Sequence, residues 1–302
     1  MNQKDPMKRN SPLLLFALFY ACSAGIPPEE VSLPPVMEDF NTYWYSGKAE
    51  LATYKLDQVR YGEVHEGEAV LVFVTEDMLL DEQVKFEYGD GEKASVMKLN
   101  AIRRFKTGIY DYSIMRSVFT PVSEDKYPHS LKISHSAQDW CGQSFTQLNL
   151  RNEEYRFQQF SYFQGEGDRE KSLALGLMED ELFSRIRLGD EIPIGKVLML
   201  PSLDHVRMKH IEPKLYEASI QSIEKEGKRE ITVRFPQISR TLIIKSELEF
   251  PHRILSWSET IREGGREMTT RASLKQTRRS AYWGENGNAD SQLRKALELE
   301  WE

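Results

Sequence analysis

The sequence predicts an α+β fold that is mainly antiparallel β, and three observations carry that prediction. More than a dozen short runs are rich in β-branched and aromatic residues, as in Ala69-Val70-Leu71-Val72-Phe73-Val74-Thr75. Glycine turns such as Glu226-Gly227-Lys228 and Glu263-Gly264-Gly265 punctuate them. One internal stretch stands out with a helical period and suitable ends. So many short strands with one helix imply a curved sheet or half-barrel around a central helix, or two packed sheets.

The elements follow in chain order. Residues 49–61 have mixed strand character, and the 69–75 run suits a strand buried on both faces. Tyr88-Gly89-Asp90-Gly91-Glu92 carries an Asp-Gly turn signal. Strands are then expected over 96–105, 110–120, 131–138, 144–150 and 155–163. The last two flank Arg151-Asn152-Glu153-Glu154, a polar loop of hairpin length. The central helix is expected to start at Asp168 as N-cap, behind Gly165-Glu166-Gly167. It continues through Leu173, Leu177, Glu181, Phe183 and Ile186, with acids early and Arg185 and Arg187 late, as the helix dipole favours. Gly189 is its expected stop. Further strands are expected over 196–200, 206–211, 215–223, 230–235, 240–249, 253–262 and 267–277, and a second, shorter helix over 289–297.

The first residues read as an address. Lys4, Lys8 and Arg9 precede nine apolar or aromatic residues, Leu13 to Ala21. A transmembrane helix needs about 20 such residues. A basic leader, a short greasy run and the small residues Ala21-Cys22-Ser23-Ala24-Gly25 describe an export signal. Cys22 makes it similar to a bacterial lipoprotein signal, cleaved before a cysteine that takes lipid; Phe19 and Tyr20 make it a loose version. The expected organisation is a signal over 1–21, a lipidated Cys22 opening a Pro-rich spacer over 22–36, and a single β-rich domain over 37–302. Two Pro-Pro pairs make the spacer semi-rigid.

Charge and cysteine narrow the function. The chain of 302 residues has net charge −7. Loss of 1–21 removes Lys4, Lys8, Arg9 and Asp5, leaving 37 basic and 46 acidic side chains, a net −9. That balance argues against nucleic acid as a partner. The second of its two cysteines, Cys141, has no disulfide partner if Cys22 carries lipid.

Several clusters are candidate sites. Glu63, His65, Glu66 and Glu68 form the densest polar group. Strand alternation places Glu63 and His65 on one face and Glu66 and Glu68 on the other, so a solvated hairpin edge is expected rather than a metal or acid–base site. Asp139-Trp140-Cys141-Gly142 reads as a bend with a small buried thiol, not a nucleophile. Ser134-His135-Ser136 and Asp204-His205 contain the residue types of a catalytic triad, without a G-x-S-x-G elbow to present a serine. Glu166 and Asp168 sit among aromatics and glycines where strand is expected to meet helix; they would repel an anion, so a tight turn is the expectation. Arg271, Lys275, Arg278 and Arg279 form a basic stripe that could meet anionic lipid or envelope polymer, or be a solvated strand face. No P-loop, dinucleotide fingerprint, H-E-x-x-H or cysteine cluster occurs, so no cofactor or metal is expected.

Four stretches carry a wider resemblance: Tyr43-Trp44-Tyr45-Ser46-Gly47-Lys48-Ala49-Glu50, Arg60-Tyr61-Gly62-Glu63-Val64-His65-Glu66-Gly67-Glu68, Trp140-Cys141-Gly142 and Tyr162-Phe163-Gln164-Gly165-Glu166-Gly167-Asp168. With them the chain resembles an uncharacterised family of Bacteroidetes envelope lipoproteins, over nearly its whole mature length. Members often carry the label septum formation inhibitor Maf. True Maf proteins are cytoplasmic nucleotide pyrophosphatases with an early Ser-x-Ser-Pro-Arg-Arg motif; here Arg278-Arg279-Ser280 comes far too late. The resemblance therefore implies a location and a common fold and transfers no catalytic residue. The expected function is a non-enzymatic envelope module, anchored by lipid at Cys22 and facing the periplasm, that binds another envelope protein or an apolar ligand. Two alternatives are an envelope hydrolase using the carboxylates above on glycan or cell wall, and a structural subunit of an outer-membrane complex.

Overall fold

The structure, a computed structural model, describes residues 35–299. The expected signal, Cys22 and all but the last two residues of the expected spacer lie outside them. Those two, Pro35 and Val36, open helix α1 (Pro35–Trp44). Eight strands follow: β1 (Ala49–Arg60), β2 (Glu63–Leu79), β3 (Lys93–Thr107), β4 (Tyr110–Pro121), β5 (Lys132–Asp139), β6 (Gly142–Arg151), β7 (Glu154–Ser161) and β8 (Arg169–Ala174). A two-residue strand β9 (Leu177–Met178), a 3-10 turn (Glu179–Glu181) and α2 (Leu182–Leu188) lead to β10 (Gly195–Leu200) and α3 (Leu203–Lys209). The chain closes with β11 (Tyr216–Lys225), β12 (Lys228–Phe235), β13 (Arg240–Glu247), β14 (Ile254–Glu263), β15 (Arg266–Ser280) and α4 (Gln292–Ala296).

All fifteen strands form one sheet, in the order β8-β7-β6-β5-β4-β3-β2-β1-β15-β14-β13-β12-β11-β10-β9. Two meanders thus share one seam, the β1–β15 pair running from Ala49↔Ser280 to Asp57↔Arg271. Only Leu175 and Gly176 separate β8 from β9, the two edge strands, so the sheet must curl until its edges approach. Arg169 and Lys171 of β8 reach Glu212, just ahead of β11, and help close the gap. The fold is therefore the curved antiparallel sheet expected from sequence, wrapped around α2.

The core lies between the facing meanders. Leu99, Val118 and Phe157 come from one side, Val233, Ile244 and Trp257 from the other, and Leu182, Phe183 and Ile186 of α2 fill the space between. Each such side chain contributes roughly 1.5–3 kcal/mol by leaving water. Helix α1 brings Phe40 and Trp44 to the end where β1 begins. Helix α3 follows β10 at the opposite end, where the β1–β2, β3–β4, β5–β6 and β7–β8 turns also lie. On the outside of β1, the Thr53 hydroxyl donates to the Leu297 carbonyl at 2.7 Å, which docks the C-terminal segment.

Four local expectations change. The central helix is shorter than its apolar spacing suggests. Residues 169–174 instead extend as β8 and pair with β7, because that satisfies their backbone groups on the sheet. Gly176 then passes so close to Leu215 and the Leu198 carbonyl that a Cβ would sit 2.7 and 3.2 Å from them. The expected stop holds: Gly189 has φ 80° and its N–H donates to Arg185 and Ile186. The 206–211 segment is not a strand. Ser202 accepts from Asp204 N, and Leu203 and Val206 share a buried helix face, so α3 forms. Tyr88–Glu92 is a bend inside a longer β2–β3 connection rather than a tight hairpin. Over 289–297 the expected short helix is a 3-10 turn (Asn288–Ser291) followed by α4.

Among the described residues no helix is long and apolar enough to cross a membrane.

Candidate functional site: a ring of buried charges

Near the α3 end the inner surface changes character. In register across β4, β5, β6 and β7 lie Arg116, His135, Thr146 and Gln159, all buried. From the other meander Arg240 and Glu259 face them, and Glu179, Asp180 and Asp204 descend from the 3-10 turn and α3.

These groups close into a ring in which arginines separate the acids everywhere except at Glu179 and Asp180. Arg240 grips Glu179 with two N–H groups, one at 2.6 Å, and reaches Glu259 at 3.1 Å. Glu259 accepts from Arg103 at 2.6 Å, and Arg103 meets Asp204 at 3.2 Å. Asp204 accepts from Arg116 at 2.8 Å, and Arg116 lies 3.1 Å from Asp180. Asp180 adjoins Glu179 in the chain, which completes the circuit. His135 adds a contact to Asp204 at 3.4 Å. Asp180 also accepts from Leu203 N at 3.0 Å, pinning the start of α3.

The arginines decide the charge state of the ring. Burial pushes the Asp204 carboxyl up, but Arg116 and Arg103 override it and hold it well below the usual carboxylate range. Burial acts likewise on Glu259, and Arg103 and Arg240 bring it down to about 2. Glu179 is the least comfortable acid: burial raises it, Arg240 opposes, and Glu259 and Asp180 add to the rise. Burial, followed by Arg240, lowers His205 to about 3, so this imidazole is neutral. A cavity of about 30 Å³ lies against Gln58, Arg103, Asp204, His205, Glu259 and Thr270. It is large enough for water and too small for an organic ligand.

A second polar cluster sits at the β1–β2 tip. Tyr61 has φ 55°, a left-handed conformation that costs a non-glycine residue energy. Its hydroxyl bonds Tyr112 at 2.7 Å and Tyr110 at 3.0 Å. Arg60 stacks 4.4 Å from its ring and donates to the Met208 carbonyl at the end of α3.

The residues singled out from sequence scatter. Glu63 and Glu66 are exposed at the start of β2, His65 is half-buried beside the Arg60 carbonyl, and Glu68 is buried, in register between Lys55 and Arg104. Glu166 and Asp168 close the β7–β8 turn, with Ser161 donating to both, so the expected strand-to-helix turn joins two strands. Glu166 also meets His210 at 2.7 Å and Arg207 at 3.4 Å. Cys141 is exposed at the β5–β6 turn, where its N–H donates to Asp139, because a two-residue hairpin tip has no interior to bury a thiol. The basic stripe divides. Arg271 is exposed on β15, and Lys275 falls at a bulge opposite Thr53 and Tyr54, which breaks the shared face expected of the two. Arg278 pairs with Glu285 at 2.8 Å, and Arg279 lies 4.0 Å over the Tyr43 ring. Of the triad candidates, His135 and Asp204 do meet, while Ser134 and Ser136 point to the other face of β5. Among the described residues no group of three or more His, Cys, Asp or Glu is arranged to hold a metal ion.

The ring was invisible in sequence, since Arg103, Arg116, Arg240 and Glu259 come from four strands scattered over the chain. The one available signal was charge at inward positions of otherwise apolar strands, as in Leu99-Asn100-Ala101-Ile102-Arg103. No described protein family matches the chain, and neither the characterised proteins nor the solved structures contain a match.

Proposed function

We propose that this protein is a non-enzymatic envelope lipoprotein, tethered by lipid at Cys22, whose folded sheet binds a partner. The observation that carries the reading is the charge ring. Every acid in it is spent on an arginine, in a space that admits about one water, so it braces the two meanders rather than turning over a substrate. The carboxylates a hydrolase would need are divided between the β1–β2 and β7–β8 hairpins, with four strands between β2 and β7. The interior is filled by side chains, so partner binding falls to the outer surface. Helix α1, nearest the tether in sequence, packs at one end of strands up to about 55 Å long, leaving the α3 end free for a partner in the periplasm.

Two measurements test this. Labelling cells with a palmitate analogue should mark the wild-type chain and not Cys22→Ser, which should leave the membrane fraction. Native pull-down from membranes should recover a stable partner or a co-purifying ligand. Recovery of neither counts against the binding role, and unchanged fractionation of Cys22→Ser counts against the anchor.

A further inference from the structure

The outer surface of β5–β7 carries aromatic side chains where a solvated sheet face would carry polar ones. Ser136, Phe145 and Phe160 lie side by side in register, with Gln138, Gln143 and Tyr162 in the next row toward the α3 end. Phe145 is 40% exposed, Phe160 52% and Tyr162 78%. Together these residues line a groove of about 510 Å³, within the range of small-ligand sites. Tyr162 makes one wall and packs over Gly142, where a Cβ would sit 2.9 Å from its Cδ1, so glycine lets this ring lie close against the β5–β6 turn.

The polar groups of the groove are neutral or acidic. Gln138 donates to Gln143 at a long 3.5 Å, a weak bond that a ligand can replace. Asp168 accepts from Ser161 N through Oδ1 and retains its second oxygen. Among the described residues no lysine or arginine lines the groove. That excludes a phosphate or nucleotide, which would need cationic partners. Aromatic rings beside amides, hydroxyls and one carboxylate match a neutral polyhydroxylated ligand. Its C–H faces lie on the rings, and its hydroxyls donate to and accept from the amides.

We propose that this groove binds a saccharide unit of a neutral glycan. The inference rests on the reading of the chain as a binding module, and assigns that module a ligand class and a place.

The test is isothermal titration calorimetry on the full chain in a detergent without a sugar headgroup. The probes are chitohexaose, cellohexaose and maltohexaose. Saturable binding of at least one is expected, weakened about tenfold by Phe160→Ala and several-fold by Gln143→Ala. Tyr88→Ala, at a remote exposed aromatic, should bind as wild type. The exposure of Phe160 makes a folding defect an unsuitable explanation, and an unchanged thermal midpoint verifies this. Absence of binding to all three probes overturns the assignment, as does a Phe145→Ala/Phe160→Ala variant that binds like wild type. If no saccharide binds but a membrane partner is captured and lost in Phe160→Ala, the groove belongs to a protein, and only the saccharide assignment falls.

Discussion

The two meanders share a charged ring on the inside and differ on the outside. In β12–β14 the outer face is ordinary: Val233, Leu242, Ile244 and Trp257 point inward, with Arg240 and Glu259 beside them in the ring, while Arg234, Lys245 and Arg262 face water. In β4–β7, near the α3 end, Arg116, His135, Thr146 and Gln159 are inside, and Met115, Phe145 and Phe160 are outside. Burial of charge is costly unless each group is paired, and exposed aromatic area gains nothing from folding alone. Both meanders carry buried charge at the ring, and the first adds exposed aromatic area. The difference teaches that the inside of both meanders is set by their docking, to which the exposed aromatics of the first contribute nothing.

Breaking the inside should have the largest effect. Arg103→Met leaves Glu259 and Asp204 each short of a partner and should cost about 3–5 kcal/mol in urea denaturation. On the ordinary side, Ile244→Ala should cost about 2–5 kcal/mol through cavity formation. A ring variant that unfolds no more readily than wild type would show that the meanders dock without it.

Acid sharpens the same contrast. Glu259 and Asp204 are depressed in the folded state, so their contribution is present above the ordinary carboxylate pKa and is lost as pH falls toward 2. Asp190 acts in the other direction. Burial, then Glu124, raises it to about 7 despite Arg185, so its ionised form disfavours the fold above neutrality and this penalty fades as pH falls toward 4. Denaturation from pH 8 to 2 should therefore show stability rising first and then collapsing. Asp190→Asn should be more stable than wild type at pH 8 and not at pH 4.

The outside should respond least. Phe160→Gln should change stability by under about 1 kcal/mol, since its ring is already half in water. Cys141 should react fully with a thiol reagent in the native state, and Cys141→Ser should shift stability by no more than about 0.5 kcal/mol. Slow labelling that requires denaturant would contradict the exposed hairpin tip.

Much of the fold was legible because strands announce themselves locally. The 69–75 run, the 144–150 and 155–163 runs, and the Glu226-Gly227 and Gly264-Gly265 turns all fall where local chemistry places them. The misses share a cause. Residues 169–174 have helical spacing but lie beside a strand that needs a partner, and 206–211 has β-branched residues but caps one end of the sheet. The site was legible only in fragments. In sequence His135 and Asp204 stand as scattered residue types, and Glu166 and Asp168 as acids among aromatics and glycines. Neither observation could say that the first pair would be locked with arginines or that the second would close a turn between two strands.

The sequence by itself determined the fold class, most of the strands, the tight turns at Gly227 and Gly264 and the stop of α2 at Gly189, because each depends on residues within one turn or one strand. It also supplies the signal-like segment before Cys22, which depends on nothing but its own order. Tertiary structure alone decided which charges meet. Glu179 and Arg240 are brought together by the curl of a fifteen-stranded sheet around α2, and the same curl sets which face of β6 meets water. Side-chain period tells a strand that it has two faces; only the packed sheet tells it which one is inside.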